Sequence, residues 1–343
     1  MDTVLFLAHT EADGTLGKAA LESLGAAVEL NQSVSGTLIA GLFGTQAKAA
    51  ADFIANCGAA RFLAIAGEEF SQPRYATDAA SCEALVRASG ATIVIAAATS
   101  RTSRVMAGVT QRVQGCIDTH VTGIAAGSGS VTITRWFYRQ RIEGSLTRTH
   151  RPWILLLDPG AHAPWQGLSG SAATEIIDAP LPETLRRTTV RGIFTPPADQ
   201  QTIRPDANLL FVAGAGWTKK QKDGQTHVPE AVTIILDFLR NSKASLGGSK
   251  SLVDLSGENQ AALPFMGHLN QVGQTGASPR HPKGLSTCCH GEEPHTVGWR
   301  FIAERRAINL DPNCGWARGK ADVLYVADAF EVMTRVNELL AVK

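Results

Sequence analysis

Four short apolar runs, at 4–8, 38–43, 61–66 and 92–97, alternate with Ala-rich stretches whose apolar residues recur at helical spacing around 15–30, 45–56, 78–89 and 103–114. A nearly continuous apolar run of this length is a strand buried on both faces, and its alternation with amphipathic helices predicts a parallel sheet wrapped by helices. The pattern changes at about 116. Val131-Thr132-Ile133-Thr134-Arg135-Trp136-Phe137-Tyr138 and Pro152-Trp153-Ile154-Leu155-Leu156-Leu157 are strand-like with little room for helices between them, which predicts an antiparallel extension of the same sheet. From 161 to 205 the chain is punctuated by Pro164, Pro180, Pro182, Pro196, Pro197 and Pro205, so long regular elements are not expected, and this stretch is read as a linker. A second series starts at Leu209-Leu210-Phe211-Val212-Ala213-Gly214. It continues with a helix at 228–240, strands near 251–255, 300–308 and 322–326, and a terminal helix at 329–340. The expected fold class is therefore α/β with two domains, each a doubly wound, mostly parallel sheet: 1–203, including the linker, and 204–343.

Composition narrows the function. With 343 residues and 44% hydrophobic residues the chain can bury large cores. Its 32 Lys and Arg against 31 Asp and Glu supply no general attraction for nucleic acid or an anionic membrane. Six cysteines, two of them vicinal (Cys288, Cys289), do not form a secreted disulfide framework. Met1-Asp2-Thr3 leads directly into the first apolar run without a basic leader, and no apolar stretch has spanning length, so a soluble, unprocessed, cytoplasmic bacterial protein is expected.

Candidate chemistry concentrates in the second half. Gly214-Ala215-Gly216 follows an apolar strand, where a doubly wound fold brings backbone N–H groups close to phosphate; a plain strand-end turn fits the same residues. Gly247-Gly248-Ser249-Lys250-Ser251 offers backbone, two hydroxyls and a cation ahead of the expected strand at 252–255; a solvated loop with a surface lysine is the alternative. Asn270-Gln271-Val272-Gly273-Gln274-Thr275-Gly276 places side-chain amides, a hydroxyl and two glycines within one loop, enough to donate several hydrogen bonds to a planar heterocycle. Cys288-Cys289-His290, with His295 and Cys314, is a conceivable metal set, but it lacks the usual C-x-x-C spacing, and loop or buried cysteines account for it as well. His9, just after the first strand, reads as structural, and Trp217, Trp299 and Trp316 read as packing or interface residues.

The hexapeptide from Gln271 to Gly276 resembles the flavin-binding segment of the electron transfer flavoprotein α subunit family. The likeness continues through His295, through Ala307-Ile308-Asn309-Leu310-Asp311-Pro312, and through Ala321-Asp322 and Ala327-Asp328; in the first half it is one of architecture more than identity. The resemblance implies a C-terminal FAD-binding domain of the DHS-like NAD/FAD-binding type. It implies that Ser249 contacts the FAD phosphates, that Val272, Gly273, Gln274 and Thr275 border the isoalloxazine with Gln271 also in the cofactor site, and that Thr275 bonds its N5 edge. His290, Gly291, Glu292, Glu293, Pro294 and His295 would line the pyrophosphate and the O2 end of the ring, with Asn309 and Asp328 toward ribose and adenine. A flavin that carries electrons needs positive charge or donors near N1–C2=O and N5, and Lys250 and His295 are the candidates.

The sequence also departs from the family. Ala215 and Lys250 stand where the family has arginine, and Ser-Gly-Ala-Ile-Gln-His has become His290 through His295. Lysine keeps charge but not a planar guanidinium, and His290 or the Lys219-Lys220-Lys222 cluster is placed to restore part of what is missing. The implied partners are a β-type electron transfer flavoprotein subunit in a heterodimer, a donor flavoprotein dehydrogenase, and a membrane acceptor of the electron transfer flavoprotein–quinone oxidoreductase type. The rival expectation is a nucleotide-binding regulatory or assembly subunit of the same fold without redox function; a stand-alone flavin or NAD oxidoreductase is a weaker one.

Overall fold

A computed structural model describes residues 2–127, 130–138, 142–185, 187–192, 203–204, 207–255, 262–273, 277, 279–288, 302–313 and 321–342. It divides into two compact units, Met1–Ile193 and Phe194–Lys343.

In the first unit, β1 (Thr3–His9), β2 (Thr37–Gly44), β3 (Arg61–Ala66) and β4 (Ile93–Ala97) alternate with α1 (Lys18–Val34), α2 (Ala47–Phe53), α3 (Tyr75–Ser89) and α4 (Ser100–Arg112). These follow the eight apolar and helical windows of the sequence closely. Next come β5 (Cys116–Gly127), β6 (Ser130–Phe137), β7 (Ile142–Leu146), β8 (Trp153–Leu157) and β9 (Thr174–Ile176). The nine strands form one sheet ordered β7-β6-β5-β8-β4-β1-β2-β3-β9, parallel except for the β5-β6 and β6-β7 pairs. The antiparallel extension is thus present. Among the described residues the Pro-rich stretch contributes only short elements: β9, which pairs with β3 at the sheet edge, and a 3-10 turn at Glu183–Leu185.

Strand alternation explains the two cores. Val4, Phe6 and Ala8 of β1 face one apolar cluster with Leu24, Ala27 and Leu30 of α1, while Leu5 and Leu7 face the other with Leu85 of α3 and Val105 and Val109 of α4. Asp118 of β5 is buried without any exposed surface and accepts hydrogen bonds from Arg135 Nη1 (2.8 Å), Arg148 Nε and Nη2, and Trp153 Nε1 (2.9 Å). Burial alone raises the Asp118 pKa, but these donors outweigh it and hold the carboxyl below its ordinary value. One carboxylate therefore ties β5, β6, β8 and the segment before β8 together.

The second unit has β10 (Leu209–Ala213), α5 (Val228–Ser242), β11 (Ser245–Gly248), α6 (Lys250–Asp254), β12 (Lys283–Cys288), β13 (Glu304–Asn309), β14 (Val323–Val326) and α7 (Ala329–Ala341). Its five strands are all parallel and ordered β11-β10-β12-β13-β14, one of the two common doubly wound orders. Phe211 and Ala213 pack with Ile235 and Phe238 of α5 and with Phe330 and Met333 of α7; Leu210 and Val212 turn to a smaller cluster with Val272, Ile302 and Ala307.

One expectation is corrected here, and one strand is added. The segment expected to be a strand at 251–255 is α6, and the strand lies just before it, as β11. Ser249 decides this, because its Oγ accepts the Leu252 N–H (3.2 Å) and starts a helical turn, while adjacent Leu252 and Val253 both find core. Strand β12 was not anticipated, since Lys283-Gly284-Leu285-Ser286-Thr287-Cys288 carries a single large apolar residue.

Replacing Asp118 by Ala strands two arginines beside a buried site and is expected to cost about 3–5 kcal/mol in urea unfolding; a loss under about 1 kcal/mol would show that the cluster is solvated.

Candidate functional site

A doubly wound sheet binds ligands beyond the carboxyl ends of its strands, where the strand order reverses. In the second unit that reversal lies between β10 and β12. The described residues that the resemblance implies for the cofactor lie at this edge: Ala215 after β10, Ser249 and Lys250 after β11, Gln271 to Gly273 in a loop joined to β11, Asn309 ending β13, and Asp328 after β14. Gln274, Thr275 and the run from His290 to His295 lie outside the described residues, as do Cys289 and Cys314 of the possible metal set.

The turn after β10 is tight. The Gly214 N–H donates to the Thr287 carbonyl (2.8 Å), and Ala215–Thr218 form one turn of 3-10 helix. Ala215 is buried in the same apolar cluster as Ala213 and Trp217, so this position contributes backbone and packing rather than a charged side chain. Trp217 is a packing residue, as read from the sequence; its indole N–H donates to Thr287 Oγ1 (2.8 Å) and its ring lies 4.6 Å from that of Phe330.

The loop carrying the hexapeptide is seated on β11 by its backbone. The Val272 N–H donates to the Gly248 carbonyl (3.0 Å), Ala277 to Gln271 (2.7 Å) and Gly273 to Ala277 (2.9 Å). Gly273 adopts φ +126°, a conformation that favours glycine, and a Cβ on Gly247 would lie 2.5 Å from a Val272 methyl. The glycines at 247 and 273 thus let this loop lie flat against the end of the strand.

Side-chain partners sort the remaining candidates. Lys250 is hydrogen-bonded to Asp254, so its charge is already matched. Asp328 caps α7 through Phe330 N–H (2.8 Å) and stands 4.0 Å from Lys222 Nζ. Asn309 is 1% exposed; its Oδ1 accepts the Asp311 N–H (2.9 Å), but its Nδ2 has no hydrogen-bond partner among the described residues. A buried amide donor without a partner costs about 1–3 kcal/mol, so Asn309 is a donor held ready at the site edge. Residues at this edge that could hold a dinucleotide are therefore Gly214 to Gly216, Ser249, Gln271 to Gly273 and Asn309.

The first unit has a comparable reversal, between β1 and β4. A crevice of about 210 Å³ opens there, lined by His9, Glu11, Gly17, Thr99 and Arg101 among others. Sequence reading missed it; the available signal was that His9 ends β1 while Thr99 and Arg101 follow β4. Its positive charge is spent. Arg101 donates to both oxygens of buried Asp78 (2.7 and 3.0 Å) and to the Phe70 carbonyl (2.9 Å), and its guanidinium lies 5.4 Å from the Phe43 ring. Burial, and then Arg101, push the His9 pKa down to about 4, so the imidazole is neutral at pH 7. The crevice accordingly suits a neutral or weakly polar group better than a polyphosphate.

The sequence profile of the electron transfer flavoprotein domain matches residues 4–184. The chain belongs to the electron transfer flavoprotein family. The match falls on the unit where the sequence reading found architecture more than motif, and it does not distinguish α from β subunits of electron transfer flavoproteins. No curated protein matches the chain in sequence. Among the described residues no helix is long and apolar enough to cross a membrane.

His9 yields a pH prediction. Its folded-state pKa lies below the unfolded value of 6.5, so its contribution is complete above 6.5 and is lost as pH falls toward 4. The full span corresponds to about 3 kcal/mol. Urea unfolding at several pH values is expected to show falling stability over this window, with a shallower fall in His9→Gln.

Proposed function

We propose that this chain is the FAD-carrying α-type subunit of a two-subunit electron transfer flavoprotein. FAD would lie along the carboxyl edge of the β11-β10-β12-β13-β14 sheet, and a β-type subunit would pack on the N-terminal unit, with 1–203 and 204–343 as the working domains. The observation that carries the reading is the buried Asn309 amide, unpartnered among the described residues and set at the edge where backbone from Gly214, Gly248 and Val272 also converges. An edge without a bound ligand would leave that donor unsatisfied; the rival, a nucleotide-binding regulatory or assembly subunit without redox function, is separated by whether the ligand is a flavin.

Bound FAD would supply the acceptance and release of electrons. The residues of the chain bind and orient it: Gly214 to Gly216 permit close approach of a phosphate, the Gln271–Gly273 backbone borders the ring, and Asn309 donates to the ribose or adenine. No side chain is assigned chemistry on substrate carbon. By family resemblance the electrons come from a soluble flavoprotein dehydrogenase and pass to a membrane quinone oxidoreductase of the kind that serves electron transfer flavoproteins.

The test is to co-purify the chain with its β-type partner, record the visible spectrum, and reduce the complex stepwise, with Asn309→Leu alongside. Oxidised-flavin bands that bleach on reduction are expected, with FAD retained about tenfold more weakly by the variant. A colourless complex that takes up no FAD would overturn the proposal.

A further inference from the structure

We propose that Lys222 is the cation that meets the phosphates of the dinucleotide at the C-terminal edge, an inference resting on the proposal that a dinucleotide binds there. The loop between β10 and α5 is folded on itself. Gln221 N–H donates to the Gln225 carbonyl (2.8 Å), Gly224 N–H to that of Gln221 (2.9 Å), Lys220 and Thr226 form an antiparallel bridge, and Gly224 adopts φ +78°. The Gln221 amide pins the loop to the turn after β10, donating to the Gly216 carbonyl (3.1 Å) and to that of Lys219 (2.7 Å).

This geometry sets Lys222 Nζ 4.0 Å from Asp328 Oδ2, while Asp328 Oδ1 is engaged by the first turn of α7. Phe330 of that turn packs on Trp217, and Trp217 is bonded to Thr287 of β12. The loop that carries Lys222 is thus tied to the turn after β10 and, through Asp328 and α7, to residues that pack at the end of β12. At 4.0 Å the ion pair is too long for a hydrogen bond, and the Lys222 side chain is 71% exposed, so its donors remain available. Lys250, at the same edge, is instead hydrogen-bonded to Asp254. The loop is pinned to the Gly214–Gly216 turn, where the close approach of phosphate is proposed, so it carries a point charge that can swing from the Asp328 carboxylate to phosphate.

The full chain, stripped of bound nucleotide, is titrated calorimetrically with FAD and with ADP at low and high salt. Wild type is compared with Lys222→Met, Lys222→Arg and Lys220→Met. Lys222→Met is expected to bind both ligands about tenfold more weakly at low salt, with the difference narrowing at high salt, while Lys222→Arg and Lys220→Met stay within about threefold of wild type. Unchanged affinity in Lys222→Met overturns the inference, and so does a loss that is independent of salt, which would mark an altered loop. Wild type that binds ADP but not FAD overturns the flavin proposal and leaves Lys222 to be judged on ADP; binding of neither ligand overturns both.

Discussion

Parallel strand pairing is the constraint on which the rest depends. All five strands of the C-terminal sheet run the same way, so five successive exits of the chain lie along one edge. Residues as distant as Ala215, Ser249, Asn309 and Asp328 are brought into one row by this alone, and the loop carrying Val272 is joined to it by backbone hydrogen bonds to β11. Parallel strands require a crossover after each, and burial of both faces follows from those crossovers. The near-continuous apolar strands, the two clusters beneath each sheet and the position of the candidate site have this common origin.

The two units apply the same architecture to opposite electrostatic ends. At the N-terminal reversal the cation is consumed inside the protein, since Arg101 is committed to Asp78 and His9 is neutral. At the C-terminal reversal, donors are left over: the Asn309 amide lacks a partner among the described residues and Lys222 is held only loosely. Burial of Ala215 helps to explain how a position where the resemblance leads one to expect arginine tolerates alanine here. The turn directs it into the core beside Trp217, and the neighbouring loop brings its own lysine to the edge.

Much of this was legible in the sequence, for physical reasons. Strands such as Val4 to Ala8 announce themselves because both faces are apolar, and the first four strands and helices fall where periodicity put them. Strand β12 was hidden because Gly284, Ser286 and Thr287 are small or polar; Thr287 serves the site edge, accepting from the Gly214 N–H and the Trp217 indole. The expected strand at 251–255 failed because a short apolar run suits one helical turn equally well, and only the Ser249 cap distinguishes the two. The positions of the site residues along the chain were readable, but their partners were not. That Lys250 is matched by Asp254 and that Asn309 keeps a donor in reserve are facts of three-dimensional neighbourhood.

The central claim is that a dinucleotide occupies the C-terminal edge and not the N-terminal crevice. Hydrogen–deuterium exchange of the full chain with and without FAD tests it directly. Protection is predicted at 213–218, 247–252, 271–273 and 309–311, with 8–17 and 97–102 unchanged. Protection confined to 8–17 and 97–102, or none at all at saturating FAD, would contradict the account.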